Sequence, residues 1–354
     1  MWSPHLLEIT PRMKFSLLTC LCLSAILLAA QSVHAAQNLS IYWTDVEGGA
    51  ATLIVTPAGE SILVDSGNPG GRDSKRIFEI ADKTAHLKQI DVLITTHYHI
   101  DHFGGAAEVA GMIPIKTVYD NGVFEGGTEK PSDKYKLFPT DKRLVINPGD
   151  EIPLKQAEGA PRLSIKCLGT RQTFIPAPND AAACPDCAGA KRKTEDKSDN
   201  ANSVVLLLSF GDFRFFLAGD LTWNVEEKLV CPVNLAGTVD VYQVTHHGLD
   251  ISNNPLVVKS LKPTVAIMSN GTTKGCGAET CTTLKATPSI QAVFQIHKNL
   301  RKDSEHNTSD DLIANLDEKC DGNFIQLNVD AAAKSYTVSI PAKKLEKTFK
   351  TQAR

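Results

Sequence analysis

The sequence predicts an α/β protein made of two strand-and-helix halves that face each other. Short apolar, β-branched runs alternate with helix-length segments along most of the 354 residues. Three of those runs end in metal-binding or acidic side chains: 90–96 before His97, 213–217 before Asp220, and 239–244 before His246. Ligands delivered from the ends of several strands meet at one sheet edge, where open α/β architectures place their sites. The composition agrees, with 42% hydrophobic residues and a formal charge of −3. A chain of that length buries a substantial core. The near-balance of charge argues against tight, non-specific DNA binding, which needs Lys and Arg to neutralise phosphates.

The elements follow in order. Strands are expected near 39–45, 51–56 and 61–65, then a helix over 73–87. Ile90 to Thr96 reads as a buried strand, and the small residues Gly104, Gly105 and Ala106 open a helix over 104–111. Ile115 to Tyr119 is a strand. A polar Gly/Pro/Lys-rich loop covers 121–142, and a longer aperiodic loop covers 170–200. Loops that long are usually functional, and the second could act as a lid. A hairpin spans 203–219, turning at Gly211-Asp212. A helix near 222–230, the strand 239–244, a helix near 254–261, the strand 264–269 and a helix over 288–301 follow. Closing strands run from Phe324 to Val329 and from Ser335 to Ile340, before a basic tail, 343–354, expected to fray.

The most informative segment is His97-Tyr98-His99-Ile100-Asp101-His102, with three imidazoles and one carboxylate in six residues. Neutral imidazole and carboxylate are the usual ligands of zinc and its neighbours, and solvated loops rarely need such a set. Of the ten His, five sit here and at His246-His247. Asp220, after Gly219, has a competing reading as a helix N-cap, since residues 221–230 look helical.

These motifs resemble the metallo-β-lactamase superfamily: an HxHxDH segment, then an Asp after a strand, then a distal His. Within it the chain is most similar to the hydrolase domain of ComEC-type competence proteins and their stand-alone secreted relatives. The matching stretches are Ile41 to Ala50, Ser61 to Gly67, Asn147 to Ile152, Asn202 to Asp220, and Val244 to Gly248. Departures are Glu47 in place of a glycine, Gly49-Ala50 in place of Gly-Asp, Leu249-Asp250 after the distal histidines, and no histidine between His102 and Asp220. The resemblance implies a four-layer αββα sandwich over residues 36–342. It also implies two divalent metal ions, zinc first and manganese second. His97 and His99 would hold one ion; Asp101, His102 and one of His246 and His247 the other, with His247 slightly favoured; Asp220 would bridge. A hydroxide trapped between two cations is a nucleophile at neutral pH. Asp101 would orient it, and His246 would assist an oxyanion or leaving group. Asn200 or Asn202 could approach the metals. Asp65 reads as a residue that orients a ligand histidine, and Asp45 as turn or site alike.

The amino-terminal segment reads as a leader over 1–35: a basic Arg12-Met13-Lys14, an apolar stretch from Phe15 to Ala30, and a cleavage motif at Val33-His34-Ala35. A retained single-pass anchor is the runner-up. With the leader removed, no stable membrane insertion is expected, and the protein would be secreted or periplasmic. Seven cysteines would then remain. Export favours disulfides, with Cys276–Cys281 and Cys184–Cys187, cross-pairing of those loops, or a four-Cys zinc clip as options and Cys167 a buried free thiol. The charged run from Lys191 to Asp199 reads as a solvated loop.

The expected function is an exported dinuclear-metal hydrolase of phosphoester or phosphodiester bonds, in small molecules or nucleic acid. A carboxylate at 220 points away from true β-lactamases. The alternatives are a lactone, thioester or β-lactam hydrolase on the same scaffold, or a binding protein whose metals are structural.

Overall fold

The computed structural model describes residues 1–2, 38–178, 183–302 and 304–354. The candidate leader, from Arg12 to Ala35, lies outside the described residues.

Among the described residues the strands form two sheets. The first half supplies β1 (Leu39–Trp43), β2 (Thr52–Val55), β3 (Ser61–Val64), β4 (Ile90–Ile94), β5 (Ile115–Asp120) and β6 (Lys142–Val145). The second supplies β7 (Leu163–Thr170), β8 (Thr173–Phe174), β9 (Val205–Phe210), β10 (Phe213–Leu217), β11 (Val241–Gln243), β12 (Val265–Met268), β13 (Ala292–His297) and β14 (Ile313–Asn315). The closing strands β15 (Ile325–Val329), β16 (Ser335–Ile340) and β17 (Leu345–Lys350) return to the first sheet. That sheet runs β17-β16-β15-β1-β2-β3-β4-β5-β6, and the other β14-β13-β12-β11-β10-β9-β7-β8. β3, β4 and β5 are parallel, as are β10 to β14, so their carboxyl ends line up at one edge of each sheet.

The period-two alternation of strand side chains sorts the core into three zones. Ile62, Val64, Ile94, Phe215 and Val241 pack between the two sheets. Leu63, Leu93, Ile77 and Val109 pack on the outer face of the first sheet, under the helices Arg72–Glu79 and Ala106–Met112. Phe216, Tyr242, Leu229, Val257 and Leu284 pack on the outer face of the second, under the helices Trp223–Val230, Pro255–Leu261 and Ala278–Ala286. Three apolar zones separate four layers: the fold is an αββα sandwich. Across the central zone Trp43 meets Phe215 edge-on at 5.5 Å, and its Nε1 donates to Gln243 Oε1 at 2.8 Å.

Several expectations are corrected. The segment 288–301 is not a helix: Ala292–His297 is strand β13, parallel to β12 and β14, and the nearby helix is Ala278–Ala286. Ala292, Phe294 and Ile296 alternate into the inter-sheet core, and two flanking parallel strands decide what a short apolar run leaves ambiguous. The tail does not fray. Leu345–Lys350 pairs antiparallel with β16, and Arg354 Nη1 reaches the buried Asp240 Oδ2 at 2.9 Å. Cys184–Cys187 is not a bridge; Cys187 is bonded to Cys231 across 44 residues, while Cys276 and Cys281 are free with their sulfurs 3.5 Å apart. The charged run 191–199 is largely exposed as expected, but Lys193 turns inward, its Nζ 3.5 Å over the Trp223 ring and 2.5 Å from Glu279.

One buried acid sets a pH dependence. Glu226 lies on the Trp223–Val230 helix, and its Oε2 accepts the Asn254 N–H at 2.8 Å. Burial pushes its carboxyl up to about 7. The folded chain therefore binds a proton that the unfolded chain has lost, and stability falls as pH rises from the ordinary Glu range through about 7. Glu226→Gln should flatten that slope and stabilise the protein at pH 8 by on the order of 2–3 kcal/mol. Urea midpoints against pH measure this; an unchanged slope in the variant overturns it.

Candidate metal centre

Four strand ends deliver the centre. Asp65 follows β3, residues 97–102 follow β4, Asp220 follows β10, and His246-His247 follow β11. The connections are tight and partly left-handed. Asp65, His246 and His247 have φ of 60°, 54° and 56°. Such values cost a non-glycine residue roughly 1–3 kcal/mol and cluster where surrounding structure enforces a site. At Gly219, φ is 51° and a Cβ would lie 2.8 Å from Thr96 Oγ1, so only glycine fits between the two halves. Gly219 also accepts the His246 N–H at 3.0 Å, which ties the loop of Asp220 to that of the distal histidines.

The donor atoms converge in two groups that share one residue. Ligand atoms of His97, His99 and Asp220 lie within 4.8 Å of one another, and so do those of Asp101, His102, Asp220 and His247. His102 Nε2 is 3.2 Å from Asp220 Oδ1, 3.2 Å from His247 Nε2 and 3.5 Å from Asp101 Oδ2. His247 Nε2 is 3.2 Å from Asp220 Oδ2. His246 lies beside these groups, its Nε2 3.3 Å from Asp220 Oδ2 and its Nδ1 3.0 Å from Ser252 Oγ.

The surrounding contacts aim the rings. Asp65 accepts the Thr96 N–H and Thr96 hydroxyl, each at 2.8 Å, and its Oδ2 lies 2.8 Å from His102 Nδ1. The carboxylate holds the proton on Nδ1 and turns the Nε2 lone pair inward. His247 does the same through Nδ1, which donates to the Ser269 carbonyl at 3.0 Å. His97 Nε2 and Asp220 Oδ2 are buried and make no hydrogen bond. Buried polar atoms left without partners are costly, and here they are ligand atoms pointing at a shared space. All the donors are nitrogen and oxygen, a set suited to zinc or manganese. The residues therefore fit a pair of divalent ions.

Electrostatics favour the ligating forms of His97 and of the carboxylates, while the carboxylates hold positive charge on His102 and His247. Burial, reinforced by His102, holds His97 well below the usual imidazole range, so it stays neutral. Burial works against ionisation of Asp220, but His102, His246 and His247 outweigh it and hold that carboxyl well below the usual range. Burial also opposes a charge on His102, yet Asp220, Asp65 and Asp101 raise it well above normal. Three carboxylates around one ring demand positive charge there, whether a proton or a metal ion. Burial lowers His246 to about 4.

Asp45, read as turn or site alike, lies apart in a separate cluster with His297 and Cys320. Asn202 supports the loop 97–102 indirectly: its Nδ2 donates to Asp199 Oδ1 at 3.1 Å, and Asp199 Oδ2 accepts the Tyr98 N–H at 2.7 Å. Asn200 approaches instead, its Nδ2 3.5 Å from His246 Nε2. Sequence reasoning missed Lys274, whose Nζ donates to Asp101 Oδ2 at 2.5 Å. Its only sequence signal is a loop bracketed by Gly271 and Gly275. Also missed is a cleft of about 590 Å³ lined by Arg192, Lys193, Asp196, Thr222, Trp223 and Ile251, against the segment that follows Asp220.

Residues 44–183 match the family model described as Metallo-beta-lactamase superfamily. Over 225 residues the chain is 26% identical to ComE operon protein 3 of Bacillus subtilis (strain 168), covering 59% of the chain and 25% of that protein. Over 231 residues it is 25% identical to Recombination protein 2 of Haemophilus influenzae Rd, covering 64% of the chain and 24% of that protein. Over 77 residues it is 36% identical to a UPF0173 metal-dependent hydrolase of Koribacter versatilis, covering 21% of the chain and 28% of that protein. The chain thus spans about a quarter of the length of these curated relatives.

Proposed function

We propose that this chain, which matches the metallo-beta-lactamase superfamily model over residues 44–183, is a metal-dependent hydrolase and that the bonds it cleaves are phosphoesters or phosphodiesters. The carboxylate of Asp220, common to both ligand groups, supports a dinuclear centre, and the likeness to ComE operon protein 3 and Recombination protein 2 is what narrows the bond to a phosphoester. Two cations side by side need a shared anion to offset their repulsion. We assign His97, His99 and Asp220 to one ion and Asp101, His102, Asp220 and His247 to the other, with zinc the first choice and manganese the second. Divalent ions held there would lower the pKa of water and polarise the scissile bond.

The chain's own groups supply the rest. Asp101, held by Lys274, is placed to orient an attacking water. His246, neutral at ordinary pH and anchored through Nδ1 by the Ser252 hydroxyl, stands beside the centre to assist an oxyanion or leaving group. Lys274, Arg192 and Lys193 put cationic groups beside the centre and its cleft, which suits an anionic substrate. The relative named Recombination protein 2 points the same way, towards nucleic acid. Export is part of the proposal: the leader pattern and the Cys187–Cys231 bridge both suit an oxidising compartment. No helix of the described residues is long and apolar enough to cross a membrane.

The test is a metal-analysed activity screen with bis-p-nitrophenyl phosphate, a lactone and nitrocefin. Zinc- or manganese-loaded protein should turn over the phosphodiester and leave the other two essentially untouched. Preferential cleavage of the lactone or nitrocefin would overturn the substrate class, and inertness towards all three in both metals would overturn the hydrolase.

A further inference from the structure

Asp45, His297 and Cys320 form a second group of metal-ligating side chains, apart from the centre described above. One donor atom of each lies within 4.8 Å of the other two. Cys320 Sγ is 3.1 Å from Asp45 Oδ2 and 3.6 Å from His297 Nε2. The three come from distant segments: the turn after β1, the carboxyl end of β13, and the loop before β15. Asp45 and His297 are fully buried, and Cys320 is partly so.

The arrangement is convergent rather than linear. A nucleophilic Cys–His–Asp relay needs the thiol on one ring nitrogen and the carboxylate on the other. Here His297 Nδ1 donates to the Lys298 carbonyl at 3.1 Å, and the carboxylate touches the sulfur. That leaves the Nε2 lone pair, the sulfur and one carboxylate oxygen facing a common point. A metal-ligating histidine typically spends its other nitrogen on just such a carbonyl. We propose that Asp45 Oδ2, His297 Nε2 and Cys320 Sγ bind a zinc ion as a structural site separate from the dinuclear centre. Thiolate, imidazole and carboxylate are ordinary zinc ligands, and the thiolate selects against manganese and magnesium.

Charge is compatible with a dication. The Arg76 guanidinium is 3.2 Å from Asp45 Oδ2 and 3.7 Å from Cys320 Sγ, but burial and the neighbouring Asp45 push the Cys320 thiol up to about 11, so an ion binds here by displacing the thiol proton. Arg76 is shared with Glu47, whose Oε1 is also 3.2 Å away. Glu47 also pairs with Arg72 at 2.6 Å, so two carboxylates face two guanidiniums, and the charge that zinc meets is the thiolate formed as Cys320 gives up its proton. The ion would pin the loop before β15 to the turn after β1. That turn runs into Ala50, whose N–H bonds the Asp101 carbonyl at 3.1 Å, so the site braces the helix that carries Asp101 and His102.

Cobalt substitution of the full chain tests the proposal. The dinuclear centre holds no sulfur, so a thiolate-to-cobalt charge-transfer band comes from elsewhere, and Cys320→Ser distinguishes this cluster from the free Cys276 and Cys281 pair. The band should appear together with one equivalent of metal beyond the dinuclear pair. Cys320→Ser should remove both the band and that equivalent, and His297→Gln should lower the extra equivalent's affinity by at least 10-fold. Asp220→Ala should keep the band while losing the dinuclear ions, which separates this site from the proposed activity. Absence of the band in the cobalt-loaded native chain, or its survival in Cys320→Ser, overturns the proposal. Absence of the band in the native chain overturns the proposal even where a variant fails to fold, and Cys276→Ser, which should keep the band, serves as a second control.

Discussion

Asp220→Ala should abolish metal-dependent hydrolysis, with a loss of at least ~10³-fold, and should empty both halves of the centre. Losing a group that merely orients a ligand costs about 10–100-fold, so losing a shared ligand costs more. The geometry explains why both ions go: Asp220 Oδ1 is 3.2 Å from His102 Nε2, and Oδ2 is 3.2 Å from His247 Nε2 and 3.3 Å from His246 Nε2. It also belongs to the His97–His99 group. The competing role as a helix cap is excluded, because the Trp223–Val230 helix has Thr222 at its N-cap. The substitution should therefore act through the ions and not through helix stability. Metal content by mass spectrometry, with initial rates on the preferred ester, measures it. A variant that keeps both ions and most of its rate would refute the bridging assignment.

Asp65→Asn should cost about 10–100-fold in ion affinity and rate while leaving the fold intact. Asparagine tolerates the φ of 60° at this position and has the same size. The chemistry differs, because the carboxylate accepts the Thr96 N–H, the Thr96 hydroxyl and the proton on His102 Nδ1. An amide offers only one acceptor oxygen, and its NH₂ must face at least one of those donors. The His102 ring then loses the partner that fixes its tautomer, and its Nε2 lone pair is no longer held toward Asp220. Chelator competition and kcat report the change, and circular dichroism checks the fold. Wild-type affinity in Asp65→Asn would show that His102 is oriented without the carboxylate.

The legible parts of this protein share a physical cause. Buried parallel strands read as apolar, β-branched runs, and ligand types stand out when they follow such runs directly. That is why the segments before His97, Asp220 and His246 are visible in the sequence, and why all of those side chains meet in space. What could not be read depends on partners far along the chain. β13 resembles an amphipathic helix until β12 and β14 flank it. Cys187 finds Cys231 because an isolated β-bridge between Ala183 and Val233 draws the two loops together, a contact that Cys spacing does not encode. Lys274 belongs to no motif and enters the centre only because its loop folds over Gly48, where a Cβ would come within 3.0 Å of the lysine's own. Asn200 and Asn202 are two residues apart on one 3-10 turn, so which of them faces His246 is settled by Asp199 capturing the other.

The carboxyl-terminal strand also governs colloidal behaviour. β17 shields the flank of β16, and its outward Glu346, Lys347 and Lys350 present charge where a sheet would otherwise offer unpaired peptide groups to a neighbour. Shortening the chain before Leu345 would bare a ladder bordered by Tyr336, Val338 and Ile340, a sticky template for self-association. The same cut would release the clamp of Arg354 on Asp240, at the root of the strand that carries the distal histidines.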